Sequence, residues 1–495
     1  MSVRRSALVA LLVVLLLGLA SCGLSIEITN SPGIPRVTPG PLPRPTQPTP
    51  DQLTSYTMAF QLDPDAKRLT GTVDVVTSNT SSQPWAELCF RDWSASVLAI
   101  DGAPGQTSGV TAAEDTATGK ALVVRVDESD NSLVFVELLT PLGPGETTEV
   151  RLTYHTDVPG GDLRLSWQER PAGKLIFDFG NFYPILGVFQ NGDWIRDPYV
   201  NEAESFYSPC ADYSVTLTLP DDYVVAASGD ETKGTPSGGR VTWTITAGNM
   251  RDFAMSVGNG LDRLTRDVGD TSVNSYFFPD DPQSRRQAER SLDSAAISLP
   301  EFTAAFGPYP YDELDIVQSA LFAGGMEYPS LVRISTHYLA DSDPTAVMHV
   351  VAHEIGHQWF YAVVGNNEYR EPWLDESFAT YCSDVVFLTA YESAESVEAT
   401  FRAYEKSPMG RGQFYLNRSV PDFGGSYYDV YMRGALFLYK LRAAMGSEVF
   451  TAMMREYYAA YSFKVATTSD FVRMVARAAP GNRAVSDLIT ANFKL

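Results

Sequence analysis

Two periodicities divide the chain. From about residue 51 to 262, apolar and polar residues alternate. Leu69-Thr70-Gly71-Thr72-Val73-Asp74-Val75 is one such run, and Glu149 to Tyr154, Tyr213 to Leu219 and Val241 to Ile245 are others. A period of two sends successive side chains to opposite faces and predicts half-buried strands. Turn-rich spacers such as Asp157 to Asp162 and Pro236 to Gly239 separate the runs. The stretch therefore predicts an antiparallel β domain. Near residue 282 the period changes. Pro282 to Leu299 reads as a helix, opened by Asp281 and a first-turn proline. Leu314 to Val317 reads as a short strand, and Tyr431 to Met445 and Ser447 to Tyr461 read as helices. A mixed α/β domain is expected over residues 263–495. No period of 20 to 50 residues repeats, which excludes a solenoid.

The first 50 residues follow neither pattern. Arg4 and Arg5 precede an apolar run from Ala7 to Ala20, too short for a mature spanning helix, so residues 1–22 read as a targeting segment. Leu19-Ala20-Ser21-Cys22 resembles a bacterial lipobox, which implies cleavage before Cys22, lipidation of its thiol and an extracytoplasmic protein anchored to the cell membrane or envelope. Residues 23–50 form a proline-rich linker. Its prolines from Pro32 to Pro50 favour extended backbone and could hold the body about 60 Å from its anchor. Three cysteines remain, Cys89, Cys210 and Cys382, and an odd number cannot pair fully within the chain. Cys89 with Cys210 is the pairing to test, and Cys382 reads as a buried apolar residue. Acidic residues outnumber basic ones, 60 to 37, which argues against a nucleic-acid partner.

Candidate chemistry gathers in Val350-Val351-Ala352-His353-Glu354-Ile355-Gly356-His357-Gln358-Trp359. The stretch is apolar and free of proline, so it reads as a helix. Residues four apart share a helix face, which lets His353 and His357 reach one metal ion with Glu354 beside them to act on a metal-bound water. Catalytic zinc usually takes three protein ligands. Trp373-Leu374-Asp375-Glu376-Ser377-Phe378-Ala379 offers Glu376, with a loop turning near Gly365-Asn366-Asn367 between the two helices. Two histidines and a glutamate buried without a metal would carry a large desolvation cost. His349 also lies four residues before His353, and reads as packing or as a neighbour of the ligands.

H-E-x-x-H followed after eighteen residues by glutamate in W-L-x-E-x-F-A resembles the gluzincin aminopeptidase family, the group of aminopeptidase N and leukotriene A hydrolase. The family usually reads W-L-N-E-G-F-A; Asp375 and Ser377 depart from it. Gly324-Gly325-Met326-Glu327-Tyr328 is similar to the family's G-x-M-E-N, with Tyr328 for asparagine, and Tyr431-Met432-Arg433-Gly434 to its Y-x-K-G. The resemblance covers roughly residues 51–495. It implies an α+β multidomain fold: a saddle-like antiparallel β domain over 51–262, then a thermolysin-like catalytic domain over 263–495, without the family's large carboxy-terminal helical domain. It implies one Zn2+ per chain held by His353, His357 and Glu376, and Glu354 as general base. It also implies a Tyr431 hydroxyl that stabilises the oxyanion, with Tyr427 and Tyr428 close by as alternatives. Gly324, Gly325, Met326 and Glu327 would bind substrate, with the Glu327 carboxylate taking a free α-amine. Asp375 or Glu371 would orient a ligand histidine, with no spacing argument to select between them.

The function expected is release of amino-terminal residues from peptides. An endopeptidase with an open cleft is the alternative. A non-catalytic binding protein on a degenerate scaffold should have lost a ligand, Glu354 or the tyrosine, and none is lost.

Overall fold

A computed structural model describes residues 54–495 except 202, 338–343, 408–413, 425, 426 and 428. The targeting segment, Cys22, the proline-rich linker and the alternative at Tyr428 lie outside the described residues.

The alternating runs become the strands of the first half. Among the described residues, an eight-stranded sheet runs in the order Asp230–Lys233, Arg240–Met250, Ala211–Pro220, Thr54–Asp63, Arg68–Ser78, Thr147–Asp157, Ser108–Asp115 and Lys120–Leu122. Thr54–Asp63 shows the expected alternation, with Met58, Phe60 and Leu62 inward and Ala59 and Gln61 outward. One pairing departs from the antiparallel expectation: Thr54–Asp63 lies parallel to Ala211–Pro220, with Tyr56 opposite Tyr213. A parallel pair needs a long connection, and the intervening chain supplies it, building one four-stranded sheet of Ile185–Leu186, Trp85–Arg91, Leu133–Leu142 and Val124–Val126 and two strands of another. The rings of Tyr56 and Tyr213 stack across that pair at 5.0 Å. Cys89, Cys210 and Cys382 are each free and buried, so Cys89 and Cys210 form no disulfide.

The second half opens with a five-stranded sheet in the order Asp262–Val268, Thr271–Phe277, Glu313–Ser319, Leu331–Ser335 and Gly325–Tyr328. Its last strand is an antiparallel edge with Gly325 opposite Ile334. The expected helix at Pro282 begins as predicted, with the Asp281 carboxylate accepting from the Gln283 amide at 2.9 Å. It continues past Leu299, through Pro300, to Phe306. Proline inside a helix forfeits a hydrogen bond, and packing offsets that loss here. Phe302 meets Trp359 edge-on at 5.6 Å and Phe306 meets Phe360 at 5.0 Å. Trp359 and Phe360 lie two and three residues after His357, so this helix braces the metal-binding segment. Among the described residues no helix is long and apolar enough to cross a membrane.

Candidate active site

The helix carrying His353 spans Pro344–Gly356. His357 lies one residue beyond it, yet its amide still donates to the His353 carbonyl at 3.3 Å. The helical spacing of the two imidazoles is therefore kept. Glu376 sits in the next helix, Trp373–Tyr381. The two helices approach closely at Gly356, where a Cβ would lie 2.8 Å from Cys382 Cβ and 3.2 Å from Ala379 Cα. Phe360 against Phe378 at 4.7 Å and Trp373 against Phe493 at 4.8 Å fix the second helix from its buried side.

The loop between the helices is strapped to the first domain. Buried Arg251 donates from Nε to the Tyr361 carbonyl at 2.8 Å and from Nη1 to the Ser208 carbonyl at 2.9 Å. Tyr361 holds φ at +134°, a strained conformation that such surroundings must maintain. A Cβ on Gly365 would lie 2.1 Å from the Arg251 guanidinium carbon, so glycine is needed at the expected turn.

These elements bring three ligand atoms into a triangle. His353 Nε2 lies 3.2 Å from His357 Nε2 and 3.3 Å from Glu376 Oε2, and the third side is 3.4 Å. A tetrahedral ion with bonds of about 2.0–2.1 Å separates its ligands by about 3.3–3.4 Å. The triangle therefore fits zinc. Burial would raise the Glu376 carboxyl, but hydrogen bonds from both histidines hold it down at about 2, as an anionic ligand requires. The other imidazole nitrogen of His357 lies 2.5 Å from Asp375 Oδ1, so Asp375 is the residue that orients a ligand. The carboxylate of Glu371 instead accepts from the Thr468 amide at 3.1 Å. Burial works against a protonated His357, yet Glu327, Asp375 and Glu376 together raise its pKa well above normal. This surplus of negative charge favours a cation.

Glu354 lies beside the triangle, almost wholly buried, and its Oε2 has no hydrogen-bond partner among the described residues. Burial pushes its carboxyl up to about 8. His357 pulls against that shift, while Glu376, Glu204 and Asp375 add to it. A cation at the triangle would favour the ionised form, and a buried carboxylate so placed can take a proton from water. Tyr431 reaches in from the helix Asp429–Met445, donates its hydroxyl to Glu376 Oε1 and stacks on His353 at 5.8 Å. Burial first, then Glu376, raises its pKa far above 10, so it stays a donor. Tyr427, the described alternative, packs edge-on to Tyr431 at 6.3 Å. The departure at Ser377 is accommodated by Gly434: a Cβ there would lie 1.7 Å from Ser377 Oγ, which donates to the Val430 carbonyl at 2.8 Å.

The edge strand Gly325–Tyr328 completes the site. Gly325 and Glu327 share the face toward the metal ligands. A Cβ on Gly325 would lie 2.3 Å from Glu354 Oε1, and an oxygen of Glu327 lies within 4.8 Å of His357 and Asp375 ligand atoms. Burial drives the Glu327 carboxyl well above its usual range. His357 opposes this, and Glu204, Glu354 and Asp375 reinforce it. The Gly324 carbonyl accepts from the Ser335 amide at 2.9 Å. The Met326 side chain packs into a core with Ile176, Val317 and Leu331, because alternation turns it to the opposite face, which leaves its backbone on the edge strand as its route to substrate. Tyr328 faces the same way, and its hydroxyl fills the space above Gly180. His349 is not a ligand; its Nε2 pairs with Asp384 Oδ1 at 2.6 Å.

Sequence reasoning missed Glu204 and Glu368. Glu204 comes from the first domain, is held by Arg164 at 2.8 and 3.0 Å, and adds negative field at Glu327 and Glu354. Glu368 is buried, and its carboxylate accepts from the Phe206 amide at 3.3 Å. Neither lies at a motif spacing, so no local signal marks them.

The two-helix triangle, its neighbouring base and the carboxylate-bearing edge strand form the arrangement that the gluzincin resemblance implies. Residues 290–491 match the family model described as the Peptidase family M1 domain. Mouse aminopeptidase B is 26% identical over 365 residues, covering 67% of this chain and 50% of its own length. Aminopeptidase 2 of Candida albicans is 32% identical over 193 residues, covering 36% of this chain and 21% of its own. The chain spans about half the length of the aminopeptidase B relatives it matches. A Deinococcus radiodurans M1 zinc metallopeptidase superposes with a TM-score of 0.64 at 21% identity, covering 90% of this chain and 93% of that one. A two-domain M1 zinc metallopeptidase mutant bound to L-arginine gives 0.66 at 21% identity, covering 90% and 94%. Residues 290–491 are thus similar to the Peptidase family M1 domain, in keeping with the resemblance to the gluzincin aminopeptidase group.

Proposed function

We propose that the protein is a zinc-dependent aminopeptidase that releases single amino-terminal residues from peptides. The observation that carries this reading is the position of Glu327. Its buried carboxylate lies on the edge strand, facing His357 and next to Glu354, where a substrate's free ammonium would balance it. His353, His357 and Glu376 would hold one zinc, which supplies Lewis-acid charge to the reacting carbonyl. Glu354 takes a proton from the attacking water and returns it to the leaving amine. Tyr431 moves its hydroxyl from Glu376 to the developing oxyanion.

Blocking the amine leaves Glu327 buried without its partner, a loss of roughly 2–5 kcal/mol in comparable charge-pair truncations. kcat/KM for an N-acetylated peptide should fall at least about 30-fold, taking 1.4 kcal/mol as tenfold. Mass spectrometry of one decapeptide in free and acetylated forms tests this. Stepwise loss of residues from the free form alone is expected. Equal cleavage of both at internal bonds would replace this reading with an endopeptidase.

We further propose an extracytoplasmic, lipid-anchored location. Arg4, Arg5, the apolar run to Ala20 and Cys22 support it, and stable anchoring takes more than one acyl chain. Cys22→Ser should abolish labelling by a radioactive fatty acid. A mature wild-type protein without lipid would refute it.

A further inference from the structure

A second group of carboxylates lies away from the metal triangle, where the two domains meet. Glu231 belongs to Asp230–Lys233, the edge strand of the first domain's large sheet. Glu313 and Asp315 belong to Glu313–Ser319, an interior strand of the catalytic sheet. One ligand oxygen from each lies within 4.8 Å of the other two. Asp315 is fully buried and the Glu231 side chain is 3% exposed. Asp315 Oδ2 and Glu231 Oε2 are both buried without a hydrogen-bond partner among the described residues.

The remaining contacts do not balance this charge. Tyr276 donates its hydroxyl to Glu231 at 3.0 Å, and the Asn274 amide donates to Glu313 at 2.6 Å and Asp315 at 3.0 Å. Arg263 is the cation that reaches them. It lies 3.8 Å from Glu231 with its own side chain 53% exposed. Asp230 and Asp312 stand close enough at the rim for Asp312 to raise the pKa of Asp230. Burial and mutual repulsion push Glu231 up to about 8 and Asp315 well above its usual range. Leaving two carboxylate oxygens dry and unpaired is costly unless something binds them.

We propose that Glu231, Glu313 and Asp315 form a calcium site that clamps the first domain to the catalytic sheet. The donors are all oxygens, which selects a hard cation. Calcium–oxygen bonds of about 2.3–2.6 Å let one ion touch atoms up to about 4.6–5.2 Å apart. Calcium accepts flexible shells of about six to eight oxygens, whereas magnesium demands a near-ideal octahedron at about 2.0–2.1 Å and gives up its waters reluctantly, so a cage of protein carboxylates suits calcium better. The partly exposed Glu313 leaves an approach for water to complete the shell. Nearby, Ser330 accepts the Gly229 amide at 2.8 Å, a second tie between the two parts.

The test uses zinc-loaded protein freed of calcium by gel filtration over metal-stripped buffer, with CaCl2 as the probe. Calorimetry should show one calcium per chain with Kd of about 10⁻⁴ M. At tenfold that concentration Tm should rise by about 1–2 °C. The double variant Glu231→Gln, Asp315→Asn should fold, because it removes buried repulsion. It should be at least as stable without calcium, should bind calcium at least tenfold more weakly, and should keep its zinc. No binding by wild type up to 10 times the expected Kd overturns the proposal. So does undiminished binding by the variant, or a response to MgCl2 as large as that to CaCl2.

Discussion

Gly325→Ala probes the catalytic geometry without replacing a catalytic side chain. The added Cβ would lie 2.3 Å from Glu354 Oε1, 2.5 Å from its Cδ and 2.6 Å from its Cγ. Ordinary contact begins near 3.4 Å, so the carboxylate must retreat by about 1 Å. What moves is a side chain, not backbone. The strand pairing of Gly325 with Ile334 and the metal triangle are therefore left in place. Overpacking of this kind costs about 1–3 kcal/mol of stability. A misplacement of about 1 Å at a reacting group costs on the order of 10²-fold in rate. The variant should fold, keep one zinc by elemental analysis, and lose about 100-fold in kcat on an aminoacyl-fluorophore substrate, roughly 2.7 kcal/mol of barrier. A kcat within threefold of wild type, with zinc present, would show that Glu354 does not need its present position. Loss of zinc would place the defect at the ligands instead and equally refute the reasoning.

Further expectations concern single groups. Glu354→Gln should keep zinc and lose about 10²–10⁴-fold in kcat, because an amide cannot accept the water's proton; near-normal turnover in the zinc-loaded variant would remove Glu354 from its role. Tyr431→Phe should lower kcat far more than it raises KM, since the oxyanion contact forms in the transition state. Asp375→Ala should weaken zinc binding about 10–100-fold, read by competition with a chelator, whereas Glu371→Ala should not, because only Asp375 lies against His357. Burial raises the Asp92 carboxyl to about 6 from an ordinary 3.8, against hydrogen bonds from Ser108 and Tyr154. Its folded pKa is the higher, so the stability it contributes is full below 3.8 and lost as pH rises through 6. Wild-type stability should therefore fall relative to Asp92→Asn between pH 4 and 7, by on the order of 3 kcal/mol. Parallel denaturation profiles of the two proteins across that range would contradict it.

Much of the site was legible because its signals are local. Helical spacing alone puts His353 and His357 on one face, and the spacing survives even though the helix proper stops at Gly356. Alternation marked strands such as Arg68–Ser78 and Ala211–Pro220, since one buried face imposes a period of two. Glu376, Glu327 and Tyr431 were found by family motif, not by periodicity. The same alternation, read one residue at a time, would also have placed the Met326 side chain in the core.

What the tertiary structure alone decided depends on contacts between distant segments. The parallel pairing of Thr54–Asp63 with Ala211–Pro220 joins strands about 150 residues apart, and no local pattern encodes a partner at that distance. The helix runs through Pro300 because Trp359 and Phe360 arrive to pack on Phe302 and Phe306. Asp375 rather than Glu371 reaches His357 because the helix Trp373–Tyr381 enters at one particular angle, set by Gly356 and by Ser377 over Gly434. Glu204 joins the active-site field, and Glu231 meets Glu313 and Asp315, only because one domain docks on the other. A carboxylate's chemistry is set by burial and by its neighbours' charges, and both are properties of the folded arrangement rather than of the residues beside it in the chain.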